Sequence, residues 1–140
     1  MNKTAISITL LVCLMLLSCG SEKQESSVNS DKTKGTAKMT FPKLEHDFGK
    51  ITEGEKVACM FSFTNSGDGD LLISSATTSC GCTVPQFNKE PIAPGKTGSV
   101  EVLFDSSYRE GTQTKTITIR SNAKPKVVVL RIVAEVLSSE

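Results

Sequence analysis

Val57, Cys59, Phe61 and Phe63 are apolar and alternate with Ala58, Met60, Ser62 and Thr64. A period of two sets every second side chain on one face, so this stretch predicts a strand with one face on a core. The pattern returns at Val100, Val102 and Phe104, at Ile117 and Ile119 among threonines, and at Val128, Leu130, Ile132, Ala134 and Val136. No segment carries a useful length of helical periodicity. Phe41 to Ile51 reads as a first extended pair of segments, broken at Pro42 and Gly49. Gly111, Asn122 and Pro125 punctuate the later intervals. About seven short strands in roughly 100 residues predict an all-β, two-sheet sandwich over residues 39–140. A domain of that size buries a core without needing disulfides.

Two local expectations follow. Asn65-Ser66-Gly67-Asp68-Gly69-Asp70 is rich in residues that tolerate positive φ, which predicts a turn, with Leu71, Leu72 and Ile73 beginning the return strand. Val127 to Leu130 is apolar on both faces, which predicts a central strand covered on both sides. The chain has no tryptophan, so the Cys…Trp…Cys signature of antibody domains is absent. Tyr108, the single tyrosine, falls in a predicted loop.

The first residues belong to another class. Lys3 precedes an apolar run from Ala5 to Leu17, about 13 residues where a bilayer span takes about 20. That length suits a secretory signal over residues 1–18. The run ends at Leu16-Leu17-Ser18-Cys19, which resembles the lipobox of bacterial lipoproteins. The resemblance implies a diacylglycerol on the Cys19 sulfur and a further palmitate-type acyl chain on its amine. Several chains anchor stably where one does not. Cys13 leaves with the signal. Residues 19–38 are polar, with Val28 the sole sizeable apolar residue from Gly20 to Lys38. They predict a disordered tether that reaches roughly 25 Å as a coil.

Removal of Lys3 with the signal leaves 15 basic against 15 acidic residues. A neutral chain carries no electrostatic footprint for nucleic acid. The expected location is the cell envelope, on the periplasmic or outer-surface side, with the membrane as one partner through Cys19 and an envelope protein as another.

Phe48-Gly49-Lys50-Ile51, Phe61-Ser62-Phe63-Thr64-Asn65, Ser79-Cys80-Gly81-Cys82-Thr83, Pro94-Gly95, Phe104, Gly111 and Ser121-Asn122 run in an order that resembles the bacterial domain-of-unknown-function family numbered 1573. The resemblance implies an Ig-like sandwich akin to sperm-protein and cilium-associated modules, and an envelope location. It implies no catalytic residue. Cys59 departs from it, standing where an ordinary apolar residue is expected.

The mature domain holds Cys59, Cys80 and Cys82. An odd count leaves at least one thiol unpaired in a monomer. Cys59 reads as a small core residue. If Thr64 faces Leu71 across the turn, Cys59 faces Ala76, and Cys80 lies roughly 13 Å further on, too far for a bridge. Cys80 and Cys82, fully extended, stand about 7 Å apart, and Gly81 permits a closer approach. Three readings stay open for the pair. It is a structural corner, a thiol-disulfide exchange site, or a copper(I) site of two thiolates. No helix N-terminus stands by to activate a thiol. His46, between Glu45 and Asp47, reads as a surface residue rather than a metal ligand, and Asp68 and Asp70 read as solvated turn carboxylates. No cofactor is expected. The leading function is a binding or scaffolding module without catalysis. Redox or copper(I) handling at Cys80 and Cys82 is the alternative, and a purely structural envelope component is a third.

Overall fold

The computed structural model describes residues 35–139. The expected signal peptide, the lipid-bearing Cys19 and residues 20–34 of the tether lie outside them. The described chain forms eight strands and no helix. They are β1 (Met39–Thr40), β2 (Glu45–Thr52), β3 (Lys56–Asn65), β4 (Ile73–Thr78), β5 (Thr83–Phe87), β6 (Thr97–Asp105), β7 (Gly111–Ser121) and β8 (Val127–Leu137). Two four-stranded sheets result, in the orders β1-β3-β6-β5 and β2-β8-β7-β4. The architecture is the all-β, two-sheet sandwich that the alternation predicts, Ig-like as the family resemblance implies. The pair of segments expected over Phe41 to Ile51 is placed differently, with β1 ahead of Phe41 and β2 running through Gly49. β1 pairs with β3, Pro42 interrupts the chain, and β2 then pairs parallel with β8 in the other sheet.

The inward positions are those that the alternation selects. Phe61 and Phe63 of β3, Val100, Val102 and Phe104 of β6, Ile117 and Ile119 of β7, and Leu130 and Ile132 of β8 are buried between the sheets. Each such side chain contributes about 1.5–3 kcal/mol relative to exposure. β8 is central, between β2 and β7. Its expected cover on both sides is not there. Leu130 is buried and Val128 packs against the core, while Val127 and Val129 are exposed on the outer face. Hydrogen bonding to two neighbours makes β8 central without a second covering layer.

The predicted hairpin after β3 does not form. β3 pairs with β1 and β6, and β4 pairs with β7 in the opposite sheet. The loop is instead tied down by Asn65, whose side chain is fully buried. Its Nδ2 donates to the Gly69 and Ile92 carbonyls, both at 2.8 Å. Its Oδ1 accepts from the Gly67 N–H at 3.1 Å and the Lys38 N–H at 3.3 Å. The loop is therefore drawn onto the body of the domain and leads the chain across to the second sheet. Gly67 and Gly69 serve close approach here rather than positive φ. A Cβ at Gly67 would strike the Thr36 carbonyl oxygen, and one at Gly69 the Gly35 carbonyl oxygen.

The same contacts move the domain boundary. Gly35 to Lys38, assigned to the tether on composition, pack against the sandwich. Ala37 is buried and its carbonyl accepts from the Lys124 N–H at 3.0 Å. Asp68 is exposed, as expected of a solvated turn carboxylate, and also accepts from the Thr36 N–H at 2.6 Å.

Asn65→Ala removes four hydrogen bonds and orphans buried backbone groups. We expect a loss of about 3 kcal/mol in urea denaturation, since each orphaned buried group costs about 1–3 kcal/mol. A loss under about 0.5 kcal/mol contradicts this role for Asn65.

Candidate functional site at the Cys80–Cys82 corner and the β3 edge

Ser79 to Cys82 carry the chain from β4 in one sheet to β5 in the other. Cys80 and Cys82 are joined as a disulfide with their Cα atoms 5.4 Å apart. Hydrogen bonds pin both flanks of the corner independently. The Ser79 N–H donates to the Thr116 carbonyl at 3.0 Å, and the Asp105 N–H to the Cys82 carbonyl at 3.0 Å. The Thr78 hydroxyl donates to the Cys80 carbonyl at 2.7 Å. Gly81 at the tip is exposed, with nothing within 4 Å of where a Cβ would stand. Below it, the buried Thr83 hydroxyl lies 3.6 Å from Cys80 Sγ and 3.9 Å from Cys82 Sγ. The sulfurs are its only hydrogen-bond partners among the described residues. Thr83 is the residue that sequence reading missed, since nothing in Cys-Thr-Val indicates which way the hydroxyl turns.

The bridge crosses no pair of strands. Closing so short a loop constrains the unfolded chain by only about 1.6 kcal/mol. The hydrogen-bonded flanks and the core beneath them hold the corner.

The other sequence candidates lie apart from it. Cys59 is free, half-buried, and opposite Val102 of β6. The expected partner across the sheet, Ala76, pairs with Ile119 in the other sheet. Burial pushes the Cys59 thiol up to about 11. His46 is exposed on β2, its ring edge-on to Phe48 at 4.6 Å. Among the described residues no group of three or more His, Cys, Asp or Glu comes together. Tyr108 is exposed in a loop, as expected, with φ 59°.

A second feature lies on the opposite side of the first sheet. β1 covers the outer side of β3 only at Thr64 and Asn65. The Asn65 N–H turns towards Lys96 beside β6, and the Ser66 N–H towards Lys38 beside β1. Alternation along the strand then aims the N–H and C=O groups of Ala58, Met60 and Ser62 outwards, where no described strand pairs with them. The remaining edges are blunted or short. β5 carries Pro85, and β2 bulges between Asp47 and Lys50, where Gly49 takes φ 70°. β4 shifts register between Ile73 and Ser75. Beside the β3 edge, Pro42, Lys43, His46, Met60 and Ser62 border a groove of about 230 Å³.

A family model for proteins of unknown function, DUF1573, matches residues 39–136, nearly the whole sandwich. The chain belongs to the DUF1573 family. No curated protein matches it. Among solved structures, this DUF1573 domain is similar to a Porphyromonas gingivalis W83 protein of unknown function. The two share 19% identity at a TM-score of 0.64, over 79% of this chain and 51% of that one. It is similar to the Vibrio cholerae protease VesB at 20% identity and a TM-score of 0.59, over 70% of this chain and 32% of that one. PapD-like domain 7 of human CEP192 matches at 12% identity and a TM-score of 0.59, over 75% of this chain and 89% of that domain. The chain thus spans about half of the first of these proteins and about a third of the second. At such identities the likeness extends to the sandwich fold and carries no activity with it.

The Cys59 thiol of the native DUF1573 domain is expected to resist iodoacetamide at neutral pH and to react once urea unfolds the chain. Its raised folded value sets the sign of the pH dependence. The contribution to stability is complete below about 9, the ordinary value, and is lost as pH rises towards about 11. Urea midpoints across that window check it, with Cys59→Ala removing this component of the decline.

Proposed function

We propose that this DUF1573 protein is a lipid-anchored binding module of the bacterial cell envelope, which takes up an extended segment of a partner protein along the free edge of β3. The anchor rests on the sequence, where a short apolar signal ends in the lipobox-like Leu16-Leu17-Ser18-Cys19. The binding reading rests on one observation. The backbone groups of Ala58, Met60 and Ser62 face outwards and pair with no strand among the described residues, on an edge that carries neither proline nor bulge.

The chemistry of the occupant follows from that edge. An added strand gains backbone hydrogen bonds of about 0.5–1.5 kcal/mol each, and side-chain positions set its specificity. Val57 and Cys59 are only partly buried on the inward side, so inward residues of the added strand are apolar at alternate positions. β1 closes the far end at Thr64, which limits the segment to a short one. A second copy of the domain, paired about Met60, would bring its Lys56 end against that closed position. A single strand from a different protein fits the edge better.

A photo-crosslinking residue in place of Ser62 is expected to capture another envelope protein in intact cells. Met60→Pro abolishes the capture and leaves the melting temperature within about 2 °C, because the N–H it deletes bonds nothing in the domain. Capture that survives Met60→Pro, or that yields only a second copy of the chain, contradicts the reading. The anchor is tested separately. Cys19→Ala is expected to release the protein from the membrane fraction and end its labelling by palmitate, and retention of both would rule the lipoprotein assignment out.

A further inference from the structure

We infer that Cys80–Cys82 is an exchangeable disulfide that accepts electrons from cysteine thiols of another polypeptide, with Cys80 as the sulfur attacked and Cys82 as the leaving group. The site lies at the β5 end of the first sheet, on the opposite side from the β3 edge, and does not depend on strand binding there.

Four observations carry it. The corner is pinned on both flanks by hydrogen bonds that do not involve the bridge. Its tip, Gly81, is exposed and uncrowded. Both cysteines are half-buried, but only Cys82 packs against the core, so attack is assigned to Cys80. Thr83 is 3% exposed, and its hydroxyl has no hydrogen-bond partner among the described residues other than the two sulfurs. A buried hydroxyl directs its proton to whatever acceptor is present. That acceptor becomes far stronger when a sulfur leaves as thiolate.

The exchange balances as follows. A substrate thiolate attacks Cys80 Sγ, forming a mixed disulfide as the Cys80–Cys82 bond breaks. The electron pair leaves on Cys82 Sγ, which accepts a hydrogen bond from the Thr83 hydroxyl and then a proton from water. A second substrate thiol, losing its proton to water, attacks the substrate sulfur of the mixed disulfide and expels Cys80 as thiolate, which is protonated in turn. The substrate dithiol is oxidised to a disulfide, and Cys80 and Cys82 are left as two thiols. A further disulfide compound restores the bridge by the reverse steps. The class of substrate is a polypeptide with paired cysteines beside an apolar residue. Val84 and Leu103 stand opposite one another across β5 and β6, 51% and 38% exposed, and offer an apolar seat next to Cys82.

The experiment uses the full chain in detergent with glutathione and a reduced dithiol peptide as probes. The folded protein is expected to oxidise the peptide, forming one peptide disulfide for each Cys80–Cys82 bridge opened. Cys82→Ser is expected to form a mixed disulfide with oxidised glutathione at Cys80 about tenfold faster than Cys80→Ser does at Cys82. Thr83→Val slows opening by about tenfold while the circular dichroism spectrum stays unchanged, which a merely structural hydroxyl would not do. A bridge that stays closed in the folded wild-type protein under excess reduced peptide overturns the proposal. So does equal trapping by the two serine variants.

Discussion

The fold depends on one buried amide. Asn65 closes β3 and joins the Lys38, Gly67, Gly69 and Ile92 backbones through a single side chain. Its main chain adds to the link, donating to the Lys96 carbonyl at 2.9 Å and accepting from the Gly95 N–H at 2.8 Å. Every donor and acceptor of the residue is thus engaged, so its burial is compensated rather than costly. The junction holds the glycine-rich stretch after β3 against the body of the domain. From there the chain passes along the Leu71–Ile92 bridge and enters the second sheet.

The two surfaces proposed above to carry function both descend from that crossing. Because β4 lies in the second sheet, the chain must return to the first to form β5, and Ser79 to Cys82 are the place where it does so. The disulfide consequently sits at an inter-sheet corner, on a flank held by other bonds. Because β4 is not the neighbour of β3, the side of β3 away from β6 has, among the described residues, only the two residues of β1 paired to it. A hairpin partner there would have paired Ala58, Met60 and Ser62. The open edge is therefore the other face of the same topological event.

Much of this was legible in advance. Period-two apolar patterns identify β3, β6, β7 and β8, because a half-buried strand must alternate. The exposed loop position of Tyr108 also follows from its flanking residues. The hairpin after β3 did not follow, since Asn-Ser-Gly-Asp-Gly-Asp signals a change of direction and says nothing of which sheet receives the chain. The tether boundary failed for a related reason. Gly35 to Lys38 look solvated by composition, yet they are held by backbone contacts, which composition does not register. Val127 and Val129 misled because apolar side chains on both faces suggest two covering layers, while nothing forbids one of those faces from meeting water.

By itself, the sequence determined the class of fold, the faces of its main strands, and the lipobox-like junction at Cys19, because these rest on local spacing and composition. Tertiary structure alone decided which strands are neighbours, that Cys80 and Cys82 close on each other above the Thr83 hydroxyl, and that no described strand pairs with the β3 edge beyond β1. Those outcomes rest on contacts between residues far apart in the chain. Asn65 is the plainest case, since its partners range from Lys38 to Ile92 and no local pattern specifies them.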